Sequence, residues 1–227
     1  MNILDNNIKI DTIITSGGTS SRFGSNKLLE KIPNSNTSKD KETSVILTTI
    51  EKFIDYSRKI IIPCHNDVKE HIKTCINKDF YGKIEFVNPG ETRQKSVFNG
   101  LLKCAENPPD MVLIHDGARP FIDKKIIKET IEKLKTYKGV CVGIYSVDTV
   151  KITDENGQII KTVDRKNVFC AQTPQGFDFK TIFEAHKKLQ NENFTDDCCL
   201  LEALNIPVFA LVGSPLNKKI TFREDLA

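Results

Sequence analysis

Several familiar signatures are missing from this 227-residue chain, and each absence removes a class of function. Its seven cysteines are odd in number and show no C-x-x-C spacing, which argues against a disulfide framework or a zinc site. Several lie in apolar runs, Cys141 between Val140 and Val142 among them, and are expected as reduced core residues of a reducing compartment. No apolar run approaches the ~20 residues that cross a bilayer. The N-terminus lacks the charged-then-apolar build of a signal peptide, so a cytoplasmic location is expected. A net charge of +3 is too small to call for nucleic acid or a membrane as partner. Neither G-x-x-x-x-G-K-[ST] nor G-x-G-x-x-G occurs, which disfavours a P-loop enzyme and a dinucleotide-binding dehydrogenase. No His or Cys stands in a nucleophile arrangement, and no internal repeat is visible.

What is present is ordinary for a globular enzyme: 39% hydrophobic and 28% charged residues, in a length that suits one large α/β domain over 1–227. Short apolar runs alternate with helical spacing. Ile10–Thr15, Lys59–Pro63, Ile84–Val87, Met111–His115 and Gly139–Ser146 read as strands. Val45–Ile54, Val68–Ile76, Thr92–Cys104 and Lys124–Thr136 read as helices. This alternation predicts a mainly parallel sheet with helices on both faces. Two segments interrupt it. Pro33–Glu42 is polar and turn-rich, and reads as a surface loop. Asp148–Val163 holds two short runs around Asn156-Gly157, a hairpin signal. Such a hairpin cannot bury both faces by itself, so it is expected to pack on a second copy of the chain or, failing that, on its own domain. At the end, Asn217–Thr221 is strand-like, and a helix begins near Phe222 as the chain stops, so a few further residues are expected to follow.

The motifs that could carry chemistry are anion-binding in character. The first strand runs into Ser16-Gly17-Gly18-Thr19-Ser20-Ser21-Arg22-Phe23-Gly24-Ser25-Asn26-Lys27. Small residues after the first strand of a parallel sheet lie at its ligand-binding edge, and glycines let backbone amides approach phosphate. A second cluster, Gly90 to Val97, opens a helix with Thr92 as N-cap and puts Arg93 and Ser96 on one face. A third, His115-Asp116-Gly117-Ala118-Arg119-Pro120, ends a buried strand in an acid and an arginine. Asp116 can take a hydroxyl or lie near a metal, and Arg119 can fork onto phosphate. His115 is expected to be a satisfied structural histidine. Asp148-Thr149-Val150-Lys151, Thr162-Val163-Asp164-Arg165, Ala171 to Phe177, Phe194-Thr195-Asp196-Asp197 and Asn217 to Thr221 add hydroxyls and cations near element ends. Taken one at a time, these are equally structural turns, an ordinary capped helix, an Asp116–Arg119 turn salt bridge and a charged strand edge.

Together, and in this order, the motifs are specific. From Thr12 to Leu226 the chain resembles the 2-C-methyl-D-erythritol 4-phosphate cytidylyltransferase family of the non-mevalonate isoprenoid pathway. The resemblance implies a Rossmann-like nucleotidyltransferase fold and a homodimer joined by exchanged β-arms, with the 148–163 hairpin as the arm. It implies CTP and 2-C-methyl-D-erythritol 4-phosphate as substrates and Mg²⁺ as cofactor, held mainly by CTP phosphates. By motif position, Arg22, Lys27 and Lys219 match the catalytic phosphate contacts. Ser16, Gly17, Gly18, Gly90 and Ser96 match the nucleotide side. Asp116, Arg119, Thr149, Arg165, Thr173 and Thr195 match the polyol-phosphate side, Arg165 reaching the partner subunit's site. The chain departs from the family pattern at Thr15-Ser16-Gly17-Gly18, where members often show Pro-Ala-Ala-Gly, at Asn26, usually Pro or Asp, and at Gly117, often Ala. Its Pro33–Glu42 loop is longer than usual.

The implied chemistry suits these residue types. A phosphate monoester has its second pKa near ~6, so the attacking group is largely dianionic at neutral pH and needs no general base. The difficulty is the approach of two anions, which cations, amides and Mg²⁺ relieve. A ribitol-5-phosphate cytidylyltransferase and a nucleotide-binding regulatory module without turnover are the alternatives.

Overall fold

The computed structural model describes residues 8–18, 23–33 and 42–226. Its framework is a seven-stranded sheet. The elements run β1 (Ile10–Thr15), β2 (Lys31–Pro33), β3 (Glu42–Ser44), α1 (Val45–Phe53), β4 (Lys59–Pro63), α2 (Asn66–Cys75), β5 (Ile84–Val87) and α3 (Arg93–Ala105). They continue with β6 (Met111–Asp116), α4 (Lys124–Leu134), β7 (Gly139–Tyr145), β8 (Val150–Thr153), β9 (Ile159–Val163), β10 (Phe169–Asp178), α5 (Phe179–Lys188), α6 (Cys198–Ala203) and β11 (Val208–Val212). The sheet order is β11-β7-β10-β6-β1-β4-β5. All its pairings are parallel except those of β10, which is antiparallel to both β6 and β7. This is the Rossmann-like α/β architecture that the alternation predicts, with one reversed strand that the alternation does not reveal.

Side-chain alternation along the strands sends residues to two cores. Ile10, Ile14, Ile60 and Ile62 pack with apolar residues of α1, α2 and α4 on one face. Ile13, Ile61, Val112 and Ile114 pack with those of α3, α5 and α6 on the other. β6 is buried at every position because both its neighbours and both helical layers cover it. The five predicted strands are all in this sheet, and the four predicted helices are α1 to α4 within a residue or two. Thr92 caps α3 as expected, its hydroxyl accepting from Lys95 N–H at 3.1 Å.

The 148–163 hairpin forms as β8 and β9 and stands as its own two-stranded sheet, with Gly157 at φ +83° in the turn. The Asn217–Thr221 run is not a strand; its backbone turns sideways, Ile220 N–H donating to Ala118 O at 2.8 Å rather than to a ladder. The polar loop is entered and left through the β2–β3 ribbon, while residues 34–41 lie outside the described residues. Of the cysteines, all free, Cys64, Cys104, Cys141 and Cys198 are buried, Cys199 is half-buried, and Cys75 and Cys170 are exposed, so the core reading holds for the first four. Burial pushes the Cys64 thiol up to about 11, which keeps it protonated and unreactive.

Candidate active site

The carboxyl ends of β1 and β6 lie side by side, with Thr15 opposite Asp116. The chain leaves β1 through Ser16, Gly17 and Gly18, and leaves β6 through Gly117 and Ala118. The loop from β5 brings Gly90 and the start of α3 to the same edge. These segments, with Lys27, Lys219 and Thr221, line a cavity of about 370 Å³. Parallel sheets place ligands at this edge because diverging loops leave a crevice there. Gly90 N–H donates to Ser96 Oγ at 3.0 Å, and the Ser96 hydroxyl donates to Thr92 O at 2.9 Å, which locks the turn onto the first turn of α3.

Asp116 is the electrostatic centre. Its carboxylate meets Lys219 Nζ at 2.9 Å, Arg119 Nε at 3.4 Å and Arg93 Nε at 3.5 Å. Burial alone would raise its pKa, but Arg93, Lys219 and Arg119 outweigh that and hold it far below the usual carboxylate range. The network continues inward. Arg93 Nη1 donates to Asp197 Oδ2 at 2.7 Å, and Asp197 Oδ1 lies 3.1 Å from His186 Nε2 on α5. Burial works against charge on Arg93, yet Asp197 and Asp116 keep its pKa above the ordinary value. Lys27 Nζ donates to Ile220 O at 2.7 Å, the carbonyl next to Lys219, so both lysines are tied to one segment.

Predicted residues divide into those the cavity gathers and those it does not. Ser16, Gly17, Gly18, Lys27, Gly90, Ser96, Asp116 and Lys219 line it. Arg119 stands behind Asp116, its Nη1 donating to Asn217 O at 2.8 Å. Thr173 is buried under the floor, its Oγ1 accepting from Asp116 N–H at 3.1 Å and lying 3.0 Å from His115 Nδ1. Thr149, Arg165 and Thr195 are exposed and do not line the cavity. Arg165 donates to Val147 O at 2.7 Å, at the base of the hairpin. Arg22 lies outside the described residues. His115 is the structural residue expected: fully buried, bonded to Arg119 O at 3.1 Å, and pushed down to about 4 chiefly by burial.

Sequence reasoning paired Arg93 with Ser96 but did not assign it to the site, and it left Asp197 and His186 without roles. The available signal was a second acid in Thr195-Asp196-Asp197 with no cation near it in sequence, since a buried carboxylate needs a partner.

No group of three or more His, Cys, Asp or Glu side chains able to hold a metal occurs among the described residues. The cavity's carboxylates are Asp116 and Glu91, and three cations already compensate Asp116. This donor set would fit a Mg²⁺ carried on phosphate oxygens and water better than one caged by protein.

Glycine turns, converging cations and a crevice at the parallel-strand ends define a nucleotidyltransferase of the Rossmann-like type. The sequence model described as "IspD: 2-C-methyl-D-erythritol 4-phosphate cytidylyltransferase" matches residues 11–227. The 2-C-methyl-D-erythritol 4-phosphate cytidylyltransferase of Dictyoglomus thermophilum is 40% identical over 225 residues, covering 96% of this chain and 94% of that protein. The protein of that name from Clostridium beijerinckii is 36% identical, covering 96% and 95%. Among solved structures, 4-diphosphocytidyl-2C-methyl-D-erythritol synthase from Anaerococcus prevotii superposes with a TM-score of 0.80 at 31% identity, covering 96% of this chain and 93% of that one. The chain therefore belongs to the IspD family of 2-C-methyl-D-erythritol 4-phosphate cytidylyltransferases.

Proposed function

We propose that the chain transfers CMP from CTP to 2-C-methyl-D-erythritol 4-phosphate and releases pyrophosphate, as a step of non-mevalonate isoprenoid synthesis. Family membership over nearly the whole chain supports this reading above the ribitol-phosphate and inactive-module alternatives. The structural observation that carries it is the pairing of Lys27 and Lys219 through the 219–220 segment, on a cavity that also holds the glycine turn and Asp116.

Ser16, Gly17, Gly18, Gly90 and Ser96 form the nucleotide side, and Lys27 and Lys219, with Arg22, meet the phosphates. The acceptor's phosphate oxygen attacks the α-phosphorus and the bond to the β-phosphate bridging oxygen breaks, so pyrophosphate leaves with that electron pair. The lysines meet the charge that grows on the equatorial and departing oxygens. Mg²⁺, when bound on the triphosphate, supplies further charge neutralisation there. Asp116 keeps Lys219, Arg119 and Arg93 aimed before substrate arrives, and this preorganisation lowers the reorganisation needed at reaction.

Asp116, Arg119, Thr149, Arg165, Thr173 and Thr195 form the polyol-phosphate side, completed by a second copy. The support is the hairpin: Ile152, Ile159 and Ile160 are 47%, 64% and 66% exposed on a ribbon separate from the main sheet. Apolar side chains on a two-stranded ribbon call for a covering surface, and Arg165 closes that ribbon. Incubation with CTP, Mg²⁺ and a panel of polyol phosphates, read by mass spectrometry, tests the whole proposal. The expected product is the cytidine diphosphate of methylerythritol; a product formed only from ribitol 5-phosphate, or none at all, overturns it.

A further inference from the structure

The loops after β1 and β5 meet above the end of β4. Ser16 N–H donates to Pro63 O at 3.2 Å, Ser16 bridges Cys64, and Cys64 N–H donates to Val87 O at 3.1 Å. One hydrogen-bonded stack thus carries both loops, and it brings Gly17 against Pro89. A Cβ placed on Gly17 would lie 2.5 Å from Pro89 Cβ and 3.4 Å from Ser96 Oγ. Carbon atoms prefer roughly 3.5–4.0 Å, so the first distance is prohibitive. A proline ring cannot rotate out of the way as a flexible side chain can.

Within the loop after β1 the restriction falls on Gly17 and not on its neighbour. A Cβ on the adjacent Gly18 would meet nothing within 4 Å. The other side of the contact cannot yield easily either. Gly90, next to Pro89, is tied to Ser96 Oγ, and a Cβ there would strike the side chain of Lys95 and the backbone of Lys95 and Ser96. Pro89 therefore sits as a wedge between a fixed turn and the glycine loop, immediately behind residues that line the cavity.

We infer that Gly17 and Pro89 are a matched pair, and that Pro89 is a positioning residue for the nucleotide side of the cavity. Its ring fills the volume that a side chain at 17 would require, and so sets the separation of the Gly17-Gly18 loop from the Gly90 turn. The inference rests on the proposed reading that these glycines and Ser96 hold the nucleotide. Lys27 is anchored separately, at Ile220, so the pair governs nucleotide affinity more than turnover.

The test is a double-mutant cycle in the full chain with Gly17→Ala, Pro89→Gly and both together. CTP binding is followed by calorimetry, KM and kcat in steady state, and stability by thermal melting. Gly17→Ala is expected to weaken CTP binding and raise its KM about tenfold, well within what sub-ångström misplacement costs, with the polyol-phosphate KM within about twofold. Pro89→Gly alone is expected to weaken CTP about threefold by loosening the loop. The double variant is expected to return to the Pro89→Gly level. If it binds CTP no better than Gly17→Ala, or if Gly17→Ala binds like the wild type, the pairing is wrong. Rescue of melting temperature without any change in CTP affinity would reduce the contact to packing and overturn the positioning role. Should Gly17→Ala fail to fold, recovery of soluble, CTP-binding protein in the double variant supports the pairing, and continued insolubility overturns it. A wild-type chain that does not bind CTP would instead sink the nucleotide reading, and the melting cycle would still decide whether the two residues are matched.

Discussion

Asp116 and Arg165 both belong to the proposed substrate side, yet their surroundings are opposite. Asp116 is buried among three cations supplied by α3, by the turn after β6 and by the segment after β11. Arg165 is exposed, and it donates to the backbone of its own hairpin base, at Val147 O. Charges in the first region hold one another in place, and their geometry is finished within one chain. The second region has local bonds and bare apolar side chains, Ile159 and Ile160 among them. On the proposed reading, one fold thus holds a half-site that is built and a half-site that waits for a surface. Tertiary packing supplies the contacts of the first; on the proposed reading a second copy supplies those of the second.

The comparison can be broken most directly at the built half. Lys27→Ala is expected to lower kcat by roughly 10²–10³, the scale of losing one preorganised donor, while the melting temperature holds. Turnover near the wild-type rate would remove Lys27 from the phosphate contacts. At the waiting half, Arg165→Ala is expected to raise KM for the polyol phosphate about 30-fold, as loss of a charge-assisted phosphate contact does, with KM for CTP little changed. A selective loss of CTP binding would contradict that assignment. Mixing the two variants sharpens the contrast: if Arg165 acts across the dimer, a Lys27→Ala chain and an Arg165→Ala chain together form one intact site. At polyol-phosphate concentrations near the wild-type KM, activity should then rise well above that of either variant alone, and no gain on mixing would return Arg165 to its own subunit.

A smaller effect is expected from acid. His115 under the built half has its folded pKa depressed to about 4 by burial, from an ordinary 6.5. The unfolded chain therefore binds the proton first as pH falls. Its contribution is complete above about 6.5, declines below that value and is exhausted near 4. Asp116 and Asp197, with folded pKa values held low, add losses only as pH falls through the ordinary carboxylate range and below. Melting temperature should accordingly decline from pH 7 to 4 in the wild type, and His115→Gln should flatten the upper part of that decline. A parallel decline in the variant would count against His115 as its source.

Much of the fold was legible in the sequence. Apolar strands such as Met111–Asp116 and capped helices such as Arg93–Ala105 state their periods openly, because burial on both faces or on one stripe imposes them. β10 was read only as turn chemistry. Thr173, Pro174, Gln175 and Gly176 resemble a loop, and the register shifts between Ala171 and Gln175. Neighbouring strands override local preference there. The Asn217–Thr221 run failed in the opposite direction. The run looked strand-like, but Asn217 O and Ile220 O are taken by Arg119 and Lys27. The nucleotide-side loops could be placed because they follow strands. The Arg93–Asp197–His186 connection could not, since Arg93 lies 104 positions from Asp197 and none of the three carries a shared local pattern.

The bond from Lys27 to Ile220 spans 193 residues, nearly the length of the protein. It has a consequence for biogenesis. A nascent chain on the ribosome exposes Lys27 long before the carbonyl that steadies it, 193 residues further on, and the lysine beside that carbonyl. The growing polypeptide can complete its sheet and, on the proposed roles of the two lysines, still be unable to consume CTP until the 219–220 segment has emerged.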